Sequence, residues 1–328
     1  MLGVKVCGTL KLLAAALLAV VAPSSASAQS WPSKPVHLIM PAPPGGNNDS
    51  VGRVLAQAMS AILKVGVVVE NKTGGGGLPA IQHVLGQPAD GHTLFFGVTG
   101  PISIIPHMKK GLPYDPQRDF APVSMVATTP LVLVATKAFE TRDIDSYLAK
   151  VRASPGRYNF ASPGIGTINH IAMEALRIRA KLDMAHVPYS NAPMIQPLLA
   201  NDVQTAYDAL PASAPHIESG ALLPLMVTGN GRAAMLPSTP HMSEKGYPGM
   251  ETMVAWMGLL APRGTPDAAI AVLNAAVRQS LADPEVRARM ARLGADPVFG
   301  PPAEMAKFMG EASAFYKEII ETAKITAD

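Results

Sequence analysis

The chain has 328 residues, with 27 Lys and Arg against 24 Asp and Glu, and only 5% of it is aromatic. So nearly even a balance carries no electrostatic footprint for nucleic acid or an anionic membrane, and few rings are left to stack on bases or sugars. The class that remains is a small ligand held by backbone and hydroxyl groups.

In chain order, the first element is a leader. Met1 to Lys11 carries Lys5 and Lys11, Leu12 to Ala22 is an uncharged apolar run, and Ala26-Ser27-Ala28 offers small residues for cleavage. This pattern predicts a secretory signal peptide over 1–28, cut after Ala28, and hence a periplasmic protein. The apolar run is too short for a membrane span, and no later stretch approaches the roughly 20 apolar residues that a span requires. Cys7, the single cysteine, leaves with the leader, so neither disulfides nor cysteine metal sites are expected. The mature chain is too long for one compact core, and two domains are the expectation.

Apolar β-branched runs predict strands at Val36 to Met40, Val67 to Glu70, Thr93 to Val98, Leu131 to Ala135, Tyr158 to Ala161, Met184 to Val187, Val203 to Asp208, Leu222 to Val227 and Trp256 to Ala261. Between them, helical patterns fall near Ser50 to Leu63, Leu78 to Leu85, Ile144 to Ala153, Ile168 to Ala180, Pro193 to Leu199, Ile270 to Leu281, Pro284 to Leu293 and Pro302 to Thr322. Strands alternating with helices predict an α/β fold with mostly parallel sheets.

Two strand-to-helix junctions carry the functional signal. After the first strand comes Pro41-Ala42-Pro43-Pro44-Gly45-Gly46-Asn47-Asn48-Asp49, where the glycines permit a tight turn and Asn48 or Asp49 is suited to cap the helix. N–H groups at such a helix start carry partial positive charge and favour a carboxylate or phosphate. Ser162-Pro163-Gly164-Ile165-Gly166-Thr167 repeats that logic before the helix of His170 and Glu174. Singly, each reads as an ordinary connection; as a pair in different halves they predict a two-sided clamp. A third glycine run, Thr73-Gly74-Gly75-Gly76-Gly77, lacks the Gly-Lys-Ser/Thr ending of a phosphate loop and reads as a flexible surface turn.

The other polar candidates are weaker. His170 and Glu174 sit four apart on one helix face but lack a further ligand pair, so no metal and no cofactor are expected. Asp49 is equally suited to meet a ligand or to cap its helix, and Arg53 is as well placed to pair with that carboxylate as to reach the cleft. Ser162 with His170 is the nearest thing to a hydrolase pair, yet there is no Gly-x-Ser-x-Gly elbow and no catalytic residue is assigned.

Several segments together resemble a known family: Pro41-Ala42-Pro43-Pro44-Gly45-Gly46 with Asp49 and Arg53, Val69-Glu70-Asn71-Lys72, Pro88-Ala89-Asp90-Gly91-His92-Thr93-Leu94, Leu112-Pro113-Tyr114-Asp115-Pro116 through Val123, His186-Val187-Pro188-Tyr189, and Gly258-Leu259-Leu260-Ala261-Pro262 with Gly264-Thr265-Pro266. They are similar to the TctC-like substrate-binding proteins of tripartite tricarboxylate transporters, the Bug family. The resemblance implies a two-domain periplasmic binding protein of type II, with the ligand cleft between residues 29–128 plus 223–328 and residues 129–222. It implies a monomer that captures a small organic acid and passes it to membrane permease subunits. Binding residues carried over from the resemblance are Pro44, Gly45, Gly46, Asn47, Asn48, Asp49, Thr99, Ser162, Gly164, Gly166, Thr167 and Asp208. Ala42, Asn47-Asn48, Ser190-Asn191 and Ala209 depart from the usual pattern and fit either a larger or more apolar acid, aromatic acids included, or neutral drift. A sensor that signals to a membrane kinase would need the same closing cleft.

Overall fold

The structure is a computed structural model and describes residues 31–189, 194–229, 231–233, 235–247 and 249–326. The leader expected over 1–28 and the Ser190-Asn191 departure lie outside the described residues. The chain opens with β1 (Val36–Met40), α1 (Asn47–Leu63), β2 (Val67–Asn71), α2 (Leu78–Leu85) and β3 (Thr93–Val98). In β1 every residue but His37 is buried, as befits a parallel strand covered on both faces. Along α1, Val51, Val54, Leu55 and Met59 fall on one stripe and are buried, and Lys64 in the left-handed region ends the helix.

A π-turn (Gly100–Ile104) and two short helices, α3 (Ile105–Met108) and α4 (Pro116–Asp119), lead into β4 (Phe120–Thr136), whose 17 residues organise the molecule. Next come α5 (Ile144–Arg152), β5 (Tyr158–Ser162), α6 (Ile168–Ala180), β6 (Met184–Pro188), α7 (Ile195–Leu199), β7 (Thr205–Ala209), α8 (Leu210–Glu218) and β8 (Leu222–Val227). The chain closes with β9 (Val254–Pro262), α9 (Asp267–Ala282), α10 (Pro284–Arg292), β10 (Asp296–Pro297) and α11 (Pro302–Ala323).

Pairing divides these strands into two sheets that share β4. Phe120 to Pro130 pair antiparallel with β9, which joins β3, β1 and β2, while β10 pairs with Ala127 and Thr128. Leu131 to Thr136 pair with β7 and β8, and β5 and β6 continue the second sheet. The first crossover therefore falls at Thr129 to Leu131. The second comes after Val227: β8 is bonded to Val132–Thr136 in the second sheet, so the return to the first sheet does not begin at Leu223 as expected.

Three expectations from the sequence change for physical reasons. The sheets are mixed rather than mostly parallel, because the shared strand β4 runs antiparallel to β7, β8, β9 and β10, and β9 runs antiparallel to β3. Leu131 to Ala135 is the second half of a longer strand, because register shifts at Pro122/Ser124 and Met125/Ala127 absorb residues that would otherwise interrupt the ladder. The helix α8 was not anticipated, since Pro215 stands inside it.

Four clusters fill the interior. One, built on β1, α1 and α9, covers one face of the first sheet, and a second, with α2, Trp256, Met305 and Met309, covers the other. The third holds the second sheet with α5, α6 and the Phe315, Tyr316, Ile319 and Ile320 side chains of α11. The first half of α11 thus packs in one core and its second half in the other. The fourth cluster lies on the other face of the second sheet, with Val132, Val134, Ala206, Leu198 and Leu210. Among the described residues, no helix is long and apolar enough to cross a membrane.

Candidate functional site

Strand direction brings the candidate loops to one seam. Strands β1, β2 and β3 are parallel, and β3 is antiparallel to β9, which is antiparallel to β4. Their carboxyl ends therefore point along β4 toward the crossover. Strands β5, β6 and β7 are also parallel to one another, but β7 opposes β4, with Ala209 beside Leu131. Their carboxyl ends point at the same crossover from the other side, as ligand-binding edges of α/β sheets do. Pro44 to Asp49 and Thr99 arrive from the first sheet, and Ser162 to Thr167 and Asp208 from the second. The halves touch at Gly166, where an added Cβ would collide with the end of the Met108 side chain. Among the described residues no hydrogen bond joins the Pro44 to Asp49 loop directly to the Ser162 to Thr167 loop.

The first loop leaves a helix start open. Gly45 has φ +79, Gly46 is the N-cap of α1, and among the described residues no side chain accepts a bond from the first-turn N–H groups. Neither Asn48 nor Asp49 is the cap, because α1 starts at Asn47, three residues earlier than the sequence suggests. Asp49 is buried and fully engaged: it accepts from the Gly45 N–H (2.8 Å), Arg53 Nε (2.9 Å) and Asn71 Nδ2 (2.7 Å). Arg53 also donates to Asn71 Oδ1, and Asn71 to the Ala42 carbonyl. Burial pushes the Asp49 carboxyl up, but the bonds from Arg53, Asn71 and Gly45 outweigh it and hold the pKa below the usual carboxylate range. Asp49 is a brace for the loop, and the loop's open donors are backbone ones.

Thr99 has a comparable role. It is buried, its Oγ1 accepts from the Trp256 N–H (2.8 Å) and donates to the Val254 carbonyl (3.4 Å), and it pins the π-turn to β9. Its hydroxyl is spent inside the fold.

The second loop is satisfied from within. Ser162 Oγ accepts from the Gly164 N–H (3.1 Å) and lies 2.6 Å from His186 Nε2, and Thr167 Oγ1 donates to the Gly164 carbonyl (2.8 Å). Thr167 is the cap of α6, taking a long bond from the His170 N–H at 3.4 Å. The Gly166 N–H donates to His170 Nδ1 (3.2 Å), which leaves that nitrogen without a proton. His170 and His186 stack at 3.8 Å, with Phe160 against His186 at 5.0 Å. Burial lowers the pKa of His170 to about 3, with help from His186 and Arg177, and burial lowers that of His186 to about 4. Glu174 lies 3.9 Å from His170 but is held by two bonds from Arg177. The histidine next to Ser162 is therefore His186, not His170 as the sequence suggests.

Asp208, near the end of β7, is half-buried and accepts from Ser213 Oγ at 2.7 Å. Burial raises its pKa against the opposing bonds from Ser213 and the Ala209 backbone. Among the described residues no group of three or more metal-ligating side chains occurs.

Sequence reasoning missed two parts of this seam. His186 was legible only as part of the His186-Val187-Pro188-Tyr189 motif, 24 residues from the serine it meets. The glycine run after β2 carried its own signal, four consecutive glycines, and it lies beside Pro41 and Pro101 rather than apart from the site.

A family model described as tripartite tricarboxylate transporter family receptor matches residues 51–325. Protein BugT of Bordetella pertussis is 32% identical over 287 residues, which span 87% of this chain and 88% of that one. The structure of Rpa4515 from R. palustris with adipate superposes with a TM-score of 0.76 at 31% identity, over 90% of this chain and 99% of the other. MatC from Rhodopseudomonas palustris with bound malate superposes at 0.71 with 29% identity, over 88% and 100%. The architecture is accordingly the α/β, two-domain fold of periplasmic binding proteins. With most of its length matched by the receptor model and by BugT, the chain belongs to the tripartite tricarboxylate transporter receptors of the Bug type, which bind solutes and are not enzymes.

Proposed function

We propose that the protein captures a small carboxylate-bearing metabolite between its lobes in the periplasm and delivers it, as a monomer, to the permease subunits of a tripartite transporter. The observation that carries this reading is the start of α1, where the first-turn N–H groups have no side-chain acceptor and the neighbouring carboxylate, Asp49, is already neutralised by Arg53. A ligand carboxylate supplies the missing acceptor. Pro44, Gly45, Gly46, Asn47 and Asn48 surround it, while Gly164, Gly166 and Thr167 close from the other lobe. Asp208 faces a hydroxyl or amino group of the ligand, and Asp49, Thr99 and Ser162 hold the frame.

Magnitudes support this without an arginine in the first contact. A helix start contributes about 0.3 to 2 kcal/mol and each charge-assisted hydrogen bond about 1.5 to 3, against the roughly 8 kcal/mol that micromolar affinity needs. Ligand-driven closure results from tighter binding by the closed state. The adipate and malate held by Rpa4515 and MatC are carboxylates.

The test is Gly46→Asp. Gly46 has φ −68 and ψ 164, a conformation open to any residue, an added Cβ meets only the Pro43 carbonyl closely, at 3.3 Å, and an aspartate there caps α1 with its own carboxylate. Calorimetric titration with adipate and malate is expected to show affinity falling at least about a hundredfold (two steps of about 1.4 kcal/mol) while the melting temperature holds or rises. Undiminished affinity in the folded variant refutes the reading.

A further inference from the structure

Resting on that reading, we infer that the cavity beside α3 is the face by which the receptor docks on its permease, and that the permease presents an acidic segment to it. The cavity, about 540 Å³, lies between the Ile102 to Gln117 stretch of the first lobe and the middle of α11, at Met309 and Ser313. It is separate from the open start of α1.

Its place in the fold suits a partner that must distinguish a loaded receptor from an empty one. Ile102, Tyr114 and Met309 on its wall belong to a core of the first body, whereas Ile104 and Ala312, a little further along the same two segments, belong to the core of the second. His107 Nε2 and Ser313 Oγ, 2.7 Å apart, tie those segments together at the cavity. Met108, the next residue, meets Gly166 of the second lobe's loop. A partner seated here rests on the segments that carry any change in lobe angle, so its fit differs between the open and closed states.

The chemistry of the rim points to carboxylates. Lys109 and Lys110 line it and are exposed, and among the described residues neither forms an ion pair, unlike Lys34, Lys72, Lys245, Lys307 and Lys317. Asp115, the acidic side chain on the wall, is committed: its Oδ1 accepts from the Gln117 and Arg118 N–H groups and caps α4. Arg118 is paired with Asp119, but Arg263 donates to the Gln117 and Arg118 carbonyls and leaves its charge on the same side. Ile102, Leu112 and Met309 make the floor apolar. An acidic stretch carrying an apolar side chain fills such a recess, whereas a flat anionic bilayer reaches only the lysines. Charges on a rim of this kind govern encounter and partner choice.

The experiment replaces the chromosomal copy with Lys109→Glu, Lys110→Glu and measures uptake of labelled adipate and malate by the cells, beside calorimetric titration of the purified exported chain with the same acids. Uptake at limiting acid is expected to fall at least about tenfold, while acid affinity and melting temperature stay as in the unaltered protein. Lys109→Arg, Lys110→Arg keeps both charges and should sustain uptake. Undiminished uptake by the Glu variant overturns the inference and leaves the receptor reading intact, and so does a loss of acid affinity that accounts for the fall. Sedimentation with phosphatidylglycerol vesicles that the Glu variant abolishes assigns the lysines to lipid and also overturns it. If the unaltered protein binds neither acid, or its cells take up neither, the proposed function itself fails and takes the docking face with it.

Discussion

At the start of α1 the chain offers N–H groups and no side-chain acceptor, whereas at the start of α6 Thr167, His170 and Ser162 use the loop's donors among themselves. The two junctions share a strand, a glycine turn and a helix, yet their electrostatics are opposite in kind. One is braced from behind by a charged set, Asp49, Arg53 and Asn71, and keeps its front open. The other is braced by uncharged rings, Phe160, His186 and His170. Similar sequence grammar therefore yields an open helix start in one lobe, which we propose as the anion seat, and a closed, self-bonded turn in the other. The closed turn is suited to cover a ligand rather than to capture it.

The brace of the first loop should be the more costly to remove. Asp49→Ala deprives the Gly45 N–H, Arg53 and Asn71 of their acceptor and is expected to cost about 2 to 3 kcal/mol in urea unfolding. A cost under about 0.5 kcal/mol would show that the charged brace is dispensable.

Acid should then discriminate the two braces. The folded-state pKa values of His170 and His186 are depressed to about 3 and about 4, so the folded protein resists protonation that the unfolded chain accepts below its ordinary histidine pKa near 6.5. Their contribution is complete above about pH 6.5 and is lost as pH falls toward 4, at least about 2 kcal/mol between them. Asp49, also depressed, loses its contribution only lower, as pH falls from about 4 through its folded-state pKa. Urea unfolding between pH 7 and 4.5 should thus report the ring brace and not Asp49, beside contributions from His83 and His107, lowered by burial, and from Asp208 and Asp296, raised by it. A His170→Gln, His186→Asn variant should remove the ring brace's share of that slope. An unchanged slope would remove the histidines from the account.

Smaller effects sharpen the contrast. Thr167→Val removes a weak cap and should cost about 1 kcal/mol, a value read from thermal melts. Asp208 is expected to act in the reverse sense to Asp49: its raised pKa means that ionising it at neutral pH opposes folding, and this penalty grows as pH rises through the carboxylate range. Asp208→Asn should therefore leave the melting temperature at pH 7 unchanged or slightly higher while weakening ligands that carry a hydroxyl or amino group. A clear loss of stability would reverse that assignment.

Local pattern carried most of the fold. Val36–Met40, Thr93–Val98 and Leu222–Val227 are bounded by their own apolar runs, and α2 and α6 by their own periodicity. What escaped was set by partners far along the chain. The first half of β4 holds together because β9, more than a hundred residues later, accommodates its prolines through shifted register. The site divides in the same way. Gly45, Gly46, Gly164 and Gly166 announce themselves, but nothing near Asp49 discloses that Asn71 completes its hydrogen bonds, and nothing near Gly166 discloses that an unprotonated His170 nitrogen consumes its N–H.

The last helix bears on motion. At about 1.5 Å per residue, the 22 residues of α11 make a rod roughly 33 Å long, with Met305 and Met309 embedded in one body and Phe315 to Ile320 in the other. If the bodies open as proposed, two crossovers alone would let them swing freely, but a stiff spoke rooted in each must tear hydrophobic contacts on one side or tilt with both. The amplitude of jaw opening is thereby rationed by how far methionine and aromatic side chains can slide without admitting solvent, which favours short, graded excursions over a wide gape.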